Sequence, residues 1–476
     1  MVQQPAEPRA RVHAFTDDAM GDDDAVELVA RIRAGTVSRR EVVQAAVERS
    51  RRLDEALAAV AAERYAAAVV EASAPHEGFF AGVPTFVKDN SDVAGLPTQQ
   101  GSRAYVARPA AADGDVARVL GTLGLTVLGK TRLSEYGFSA SAEFVHEPPV
   151  RNPWHLEHSS GASSAGAAVL VAGGAVPLAH ANDGGGSIRI PAAVNGLVGL
   201  KATRGRIPSD RANREMPVRI VHDGVLTRSV RDTAAFVREA ERAYRDLSLP
   251  PVGDVTRPGR KRLRVALVTE SLGGRAVDDE VLAVVRATAA LLERLGHDVE
   301  PTPVPAPESF VEDFLDYWAF LALALTTSGR RGLGPDFDAT RHDELTRGLA
   351  ARARGRLWRM PLAIGRLRAS QRRSRRFFAD HDLVLSPTLA TVTPRLGWLH
   401  PGQPYETVIE RLVDWVAFTP LQNATGDPSI SLPLGTSSQG LPVGVMLSGP
   451  RGHDRRLLEV AYELEEAQPF ARIQVP

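Results

Sequence analysis

The chain has 476 residues, 43% hydrophobic and 24% charged, enough to bury a large core in one big α/β unit or in a few average domains. Lys+Arg and Asp+Glu both number 57, so no global field favours nucleic acid or an anionic membrane as a partner. There is no cysteine, which excludes disulfides, thiolate metal sites and a cysteine nucleophile.

The opening "MVQQPAEPRARVHAF" has no apolar h-region, and nowhere do about 18 apolar residues run on, so no signal peptide or spanning helix is expected and the expected location is cytoplasmic. Residues 1–15 read as a loose arm, with one domain over 16–476. "DDDAVELVARIRAG" reads as a helix, with acids at its start and Gly35 past its end. "SRREVVQAAVERSRRL" opens with a capping box, Ser38 and Glu41, and aligns Val43, Ala46, Val47 and Leu53 on one side.

Strands and helices then alternate. "GVPTFVKDN" is a strand ending at Lys88, and "DGDVARVLGTLG" is a helix capped by Asp113 that leads into the strand "TVLGK". "LRVALV", a helix from Asp278 to Leu295 closed by Gly296, and "DVEPTPV" make a β-α-β unit. This rhythm predicts an α/β fold around a largely parallel sheet. Residues 305–380 break it with helical sequence. The first half holds Phe310, Phe314, Tyr317, Trp318 and Phe320; the second holds Arg366, Arg368, Arg372, Arg373, Arg375 and Arg376, read as a solvated face. Strands return in "DLVLSPT", "SISLPLG" and "LPVGVMLSG" before a closing helix.

Three adjacent glycines precede Ser187 in "ANDGGGSIRIPAA", an entropically costly arrangement that implies a close backbone approach. A Ser-His-Asp triad of Ser187, His180 and Asp183 is poor physics, because triad members converge from distant segments, and no G-x-S-x-G elbow is present. His146, His155, His158 and His222 have only their residue type to recommend them. A phosphate loop fails too: no GK[ST] follows, and Lys201 lies too far along. A histidine-free relay fits better. Ser163 and Ser164 sit among small residues that let backbones pass closely, and Lys88 stands in an apolar frame where desolvation makes an amine a usable base.

The stretches "GVPTFVKDNSDVAGLPTQQGSRAY", "LGKTRLSEYGF", "RNPWHLEHSSGASSAG", "AHANDGGGSIRIPAAVNGLVGLKATRGRIP", "TGDPSISLPLG" and "GLPVGVMLSG" resemble the amidase signature family, in family order from about residue 20 to 470. The resemblance implies a central twisted mixed, largely parallel β-sheet flanked by helices on both faces, with a signature core at about 75–210 and a variable helical region at about 305–380 that covers the substrate. It implies a triad of Lys88, Ser163 after a cis peptide, and nucleophilic Ser187. It further implies an oxyanion hole from the amides of Gly184, Gly185, Gly186 and Ser187, with Asp183, Arg189 and Ser164 in support. Two departures stand out: the common "GGSSGG" is "GASSAG", with Ala162 and Ala165, and the common threonine-glycine pair around the aspartate gives way to Asn182 and Gly184. The methyl of Ala162 is expected to narrow the acyl pocket.

The expected function is hydrolysis of a small apolar or aromatic carboxamide through an acyl-enzyme, with no metal or organic cofactor. Trp318, Trp415 and Phe418 are the candidate substrate contacts. The insert and C-terminal part are similar to the branch containing 6-aminohexanoate cyclic-dimer hydrolases. Expected partners are a small-molecule amide and a second copy of the chain as a homodimer, with neither nucleic acid nor membrane. The alternatives are the A subunit of a tRNA-dependent amidotransferase, acting as a glutaminase, and a catalytically silent scaffold.

Overall fold

The computed structural model describes residues 11–74 and 77–475. Most helix ends follow the local signals. Asp24 caps helix Ala25–Ala34 by accepting the Glu27 N–H, and Gly35 closes it at φ 72°. Both halves of the capping box of helix Arg39–Leu57 are present. Asp113 does otherwise: helix Asp115–Thr122 starts from Gly114, and Asp113 accepts the amide of Ala94 at 2.8 Å. A distant backbone donor has taken the carboxylate from its cap. Residues 1–10 of the expected arm lie outside the described residues, whereas residues 11–15 are held by bonds from Val12 N to Pro153 O (2.8 Å) and Ala14 N to Gly173 O (2.7 Å).

Strands β1 (Val60–Glu63), β2 (Pro84–Lys88) and β3 (Thr126–Thr131) form a small sheet in the order β1-β3-β2. Strands β4 (Arg151–Asn152) and β5 (His155–Ser159) pair as a ribbon. Strands β6 (Leu178–Asp183), β7 (Val198–Lys201), β8 (His222–Thr227), β9 (Arg264–Leu267), β10 (Asp298–Pro301), β11 (Leu383–Pro387), β12 (Ser429–Thr436) and β13 (Pro442–Ser448) build the main sheet, in the order β10-β9-β11-β13-β12-β7-β8-β6. The sheet is mixed, as expected, but its parallel pairs, β10–β9 and β9–β11, lie at one edge. The other neighbours are antiparallel, so alternation of elements along the chain overstates the parallel share. β2, β6, β8, β11 and β13 are buried along their whole length, as strands covered on both faces must be.

The edge strands of the two sheets, β2 and β6, meet through side chains: Thr85 Oγ1 donates to Leu178 O at 3.1 Å, and Lys88 N donates to His180 Nδ1 at 3.1 Å. That seam positions the site. Above it lie helices Phe310–Gly332, Glu344–Arg356 and Met360–Asp380. The buried Asp316 clamps them together, taking Arg352, Arg356 and Arg359 at 2.8–2.9 Å. Leaving a buried carboxylate without such partners costs several kcal/mol. The six arginines from Arg366 to Arg376 are exposed.

Candidate active site

Strand β2 carries its side chains into the interior and ends at Lys88, which is 0% exposed. Its Nζ lies 2.7 Å from Ser163 Oγ, 2.9 Å from Ser164 Oγ and 2.7 Å from Asn182 Oδ1. Burial pushes the amine down to about 7, against the pull of the Asp223 and Asp183 carboxylates. The peptide between Ala162 and Ser163 is cis. Asn182 and Asn90 exchange carboxamide hydrogen bonds (3.0 and 3.2 Å), which turns Asn182 Oδ1, an acceptor only, toward the amine. Ser164 spends its own hydrogen on Asn182 O at 3.2 Å. A neutral amine has two N–H groups and one lone pair. Asn182 Oδ1 and Ser164 Oγ take the two hydrogens, and the lone pair is left for the hydroxyl of Ser163.

Alternation along β6 sends His180 and Asn182 to the lysine side and Asp183 to the other. Asp183 accepts from Gly186 N at 2.7 Å, Ile188 N at 3.2 Å, Asn423 Nδ2 at 2.8 Å and Arg189 Nε and Nη2, both at 2.9 Å. Burial alone would push its carboxyl up; the Arg189 guanidinium and the Asn423 amide hold it well below the usual range. Asp183 and Arg189 are both fully buried, so this charge-assisted knot braces the turn that presents Ser187. The bond from Gly186 corrects one expectation: its N–H goes to the carboxylate and does not face an oxyanion.

The glycines differ in what they require. Gly186 has φ 135°, and a Cβ there would sit 2.3 Å from Thr419 Oγ1. At Gly184 a Cβ would come within 3.3 Å of Trp318 and Val221, while at Gly185 the nearest side chain, Phe314, would be 3.7 Å away. Only Gly186 is demanded by both backbone and space.

A family model described as Amidase matches residues 41–458. The chain belongs to the amidase signature family. It is 56% identical over 473 residues to "Putative amidase AmiC" of Mycobacterium tuberculosis, covering 98% of this chain and 99% of that one. Its fold is similar to a 6-aminohexanoate cyclic dimer hydrolase solved with its substrate (TM-score 0.85, 30% identity, 95% and 99% of the two chains). A bacterial aryl acylamidase is similar at TM-score 0.84 and 27% identity, covering 95% and 97%. The family places this chain among hydrolases of carbon–nitrogen bonds other than peptide bonds.

In this amidase Ser187 is 7% exposed and opens onto an apolar pocket. Phe310, Phe314 and Trp318, spaced by four residues on one helix, line it together with Ile409, Leu412 and Val413 of a second helix, and Val416, Phe138 and Ala162 add to the lining. No charged side chain lines it among the described residues. Trp318 packs edge-on against Phe138 at 5.4 Å. Ala162 adds its methyl to the lining, while Ala165 opens helix Ala165–Ala172 and lies outside it. Trp415 and Phe418 are corrections, since neither lines the pocket. Trp415 is fully buried, donating Nε1 to Thr391 O at 3.3 Å, and Phe418 packs with Ala390, Ala417 and Met446. Their large apolar surface is spent in the core, while their neighbours Val416, Ala417 and Pro420 reach the pocket.

His146 is exposed, His155 and His158 pack edge-on at 4.2 Å, and His222 is buried. The sequence reading missed three things. Asn182 and Asn90 orient the amine; Asp223 contacts His180 Nε2 at 3.1 Å; Lys201 is a further buried amine, pushed to about 7 by burial and by Arg189. None belongs to a spacing pattern: each becomes visible only when strands pair. Among the described residues no helix is long and apolar enough to cross a membrane.

Proposed function

We propose that the chain hydrolyses a small carboxamide with an apolar or aromatic acyl group, using Ser187 as nucleophile and Ser163 and Lys88 as its proton relay. The reading is supported by the fully buried amine 2.7 Å from Ser163 Oγ, together with an apolar pocket that Ser187 and Ala162 line. Ser187 Oγ attacks the carbonyl and gives its proton to Ser163 Oγ, which passes its own to the lone pair of Lys88. The amides of Gly184, Gly185 and Ser187 are the candidate oxyanion donors, each worth on the order of 10²–10³ in rate. Collapse expels the amine or ammonia, protonated by the reverse path, and water then cleaves the acyl-enzyme by the same relay. In this reading residues 16–476 act as one unit, with the helical region at about 305–380 covering the pocket.

Ser187→Ala and Lys88→Ala are each expected to abolish turnover of a simple aryl amide, with retained turnover in either refuting the relay. The glutaminase reading is disfavoured by the pocket, which offers no charged side chain to the ammonium and carboxylate of glutamine. A fluorophosphonate probe is expected to label Ser187; a silent scaffold would leave it unlabelled.

A further inference from the structure

Behind the amine lies a buried pair that the relay itself does not use. His180 and Asp223 are each 1% exposed, on the adjacent antiparallel strands β6 and β8, where Asp223 stands opposite Asn182 and diagonal to His180. His180 Nδ1 accepts the backbone N–H of Lys88 at 3.1 Å, so that nitrogen carries no hydrogen. The ring hydrogen of the neutral imidazole is therefore on Nε2, directed at Asp223 Oδ1 at 3.1 Å. Among the described residues, Asp223 Oδ2 accepts no hydrogen bond. A carboxylate satisfied on one oxygen only, in a dry interior, keeps a strong field.

We propose that His180 and Asp223 are positioning residues for Lys88: the imidazole pins the lysine backbone at the end of β2, and the carboxylate, opposite Asn182 on β8, sets a negative charge that acts on its amine. This rests on the relay reading. The charge does what the relay needs. Desolvation drives a buried amine toward ever weaker basicity, and an amine that is too weak cannot draw the proton from Ser163. The Asp223 carboxylate opposes that drop. Of the other charged groups nearby, Asp183 pulls the same way but is tied to Arg189 at 2.9 Å, and Asp89, next in the chain, is paired with Lys130 of β3 at 2.8 Å. From β6 and the Ser163–Ser164 turn, only neutral groups face the amine: Asn182, His180 and the two hydroxyls.

The test is the pH profile of kcat/KM on an uncharged anilide, measured on the full chain. Asp223→Asn keeps a similar shape and removes the charge. It is expected to move the acid limb of the profile down by about one pH unit and to lower the plateau. A purely structural role lowers the plateau and leaves the limb in place, and that result overturns the charge role. His180→Gln, which can still accept from Lys88 N and donate to Asp223, is expected to keep kcat within about threefold, while His180→Ala loses about tenfold or more in kcat at unchanged KM. Equal losses in the two overturn the pinning role. If Asp223→Asn does not fold by circular dichroism, the His180 pair carries the test. Turnover by Lys88→Ala would instead sink the relay itself, an outcome distinct from any of these.

Discussion

Lys88 is the group on which activity should turn as pH changes, and its burial sets the window. The relay uses the neutral amine, and burial brings its pKa from 10.5 to about 7. The sign is that of a base: protonation at low pH fills the lone pair that must receive the proton of Ser163. At one unit below that pKa about 9% of the amine is neutral, and at one unit above about 91%, so kcat/KM should rise about tenfold between pH 6 and pH 8. Had the amine kept its ordinary value, the rise would lie more than three units higher. Initial rates with an anilide of non-ionising acyl group measure this directly. Lys201, also pushed to about 7, is the rival titrating group. Lys201→Met is expected to leave the limb where it is, because Lys201 Nζ bonds only Ala202 O, at 3.1 Å, among the described residues. A flat profile across this range, or a limb that vanishes in Lys201→Met, would refute the assignment.

Gly186→Ala should eliminate turnover, because a methyl 2.3 Å from Thr419 Oγ1 at φ 135° displaces the nucleophile turn; a variant with wild-type rates would show the turn to be pliable. Arg189→Leu leaves the Asp183 carboxylate buried without its partner and is expected to cost about 3–5 kcal/mol in denaturant unfolding, with activity lost in proportion to loop order. Trp318→Ala removes part of the pocket lining and should cut kcat/KM for aryl-acyl substrates about tenfold or more while sparing short acyl groups. Trp415→Phe makes the contrast: it loses the bond to Thr391 O inside the core, so unfolding should shift while substrate preference stays.

How far each feature was legible along the chain follows from the range of the interaction behind it. Helix starts at Asp24, Ser38 and Asp278 were readable, because a cap joins groups two or three residues apart. Lys88, Ser163 and Ser187 were readable as candidates from ordered motifs, and the structure brings the first two to 2.7 Å. The α/β class was readable from alternating elements, but not the small parallel share of the sheet, since strand direction depends on which distant strands pair. Asp113 left its cap for Ala94, 19 residues away. Trp415 and Phe418 went to the core although nearby Ala417 and Pro420 line the pocket, because composition tells that an aromatic will be buried and not against what. The surroundings of the amine were the least legible part. Asn90, Asn182, His180 and Asp223 meet it from two strands and a turn, and only the pairing of β8 with β6 and the meeting of β6 with β2 set a carboxylate and an imidazole behind Lys88. Local chemistry chose the reacting groups; long-range packing chose how dry they are and what charge they face, and those two quantities decide whether a lysine is a base.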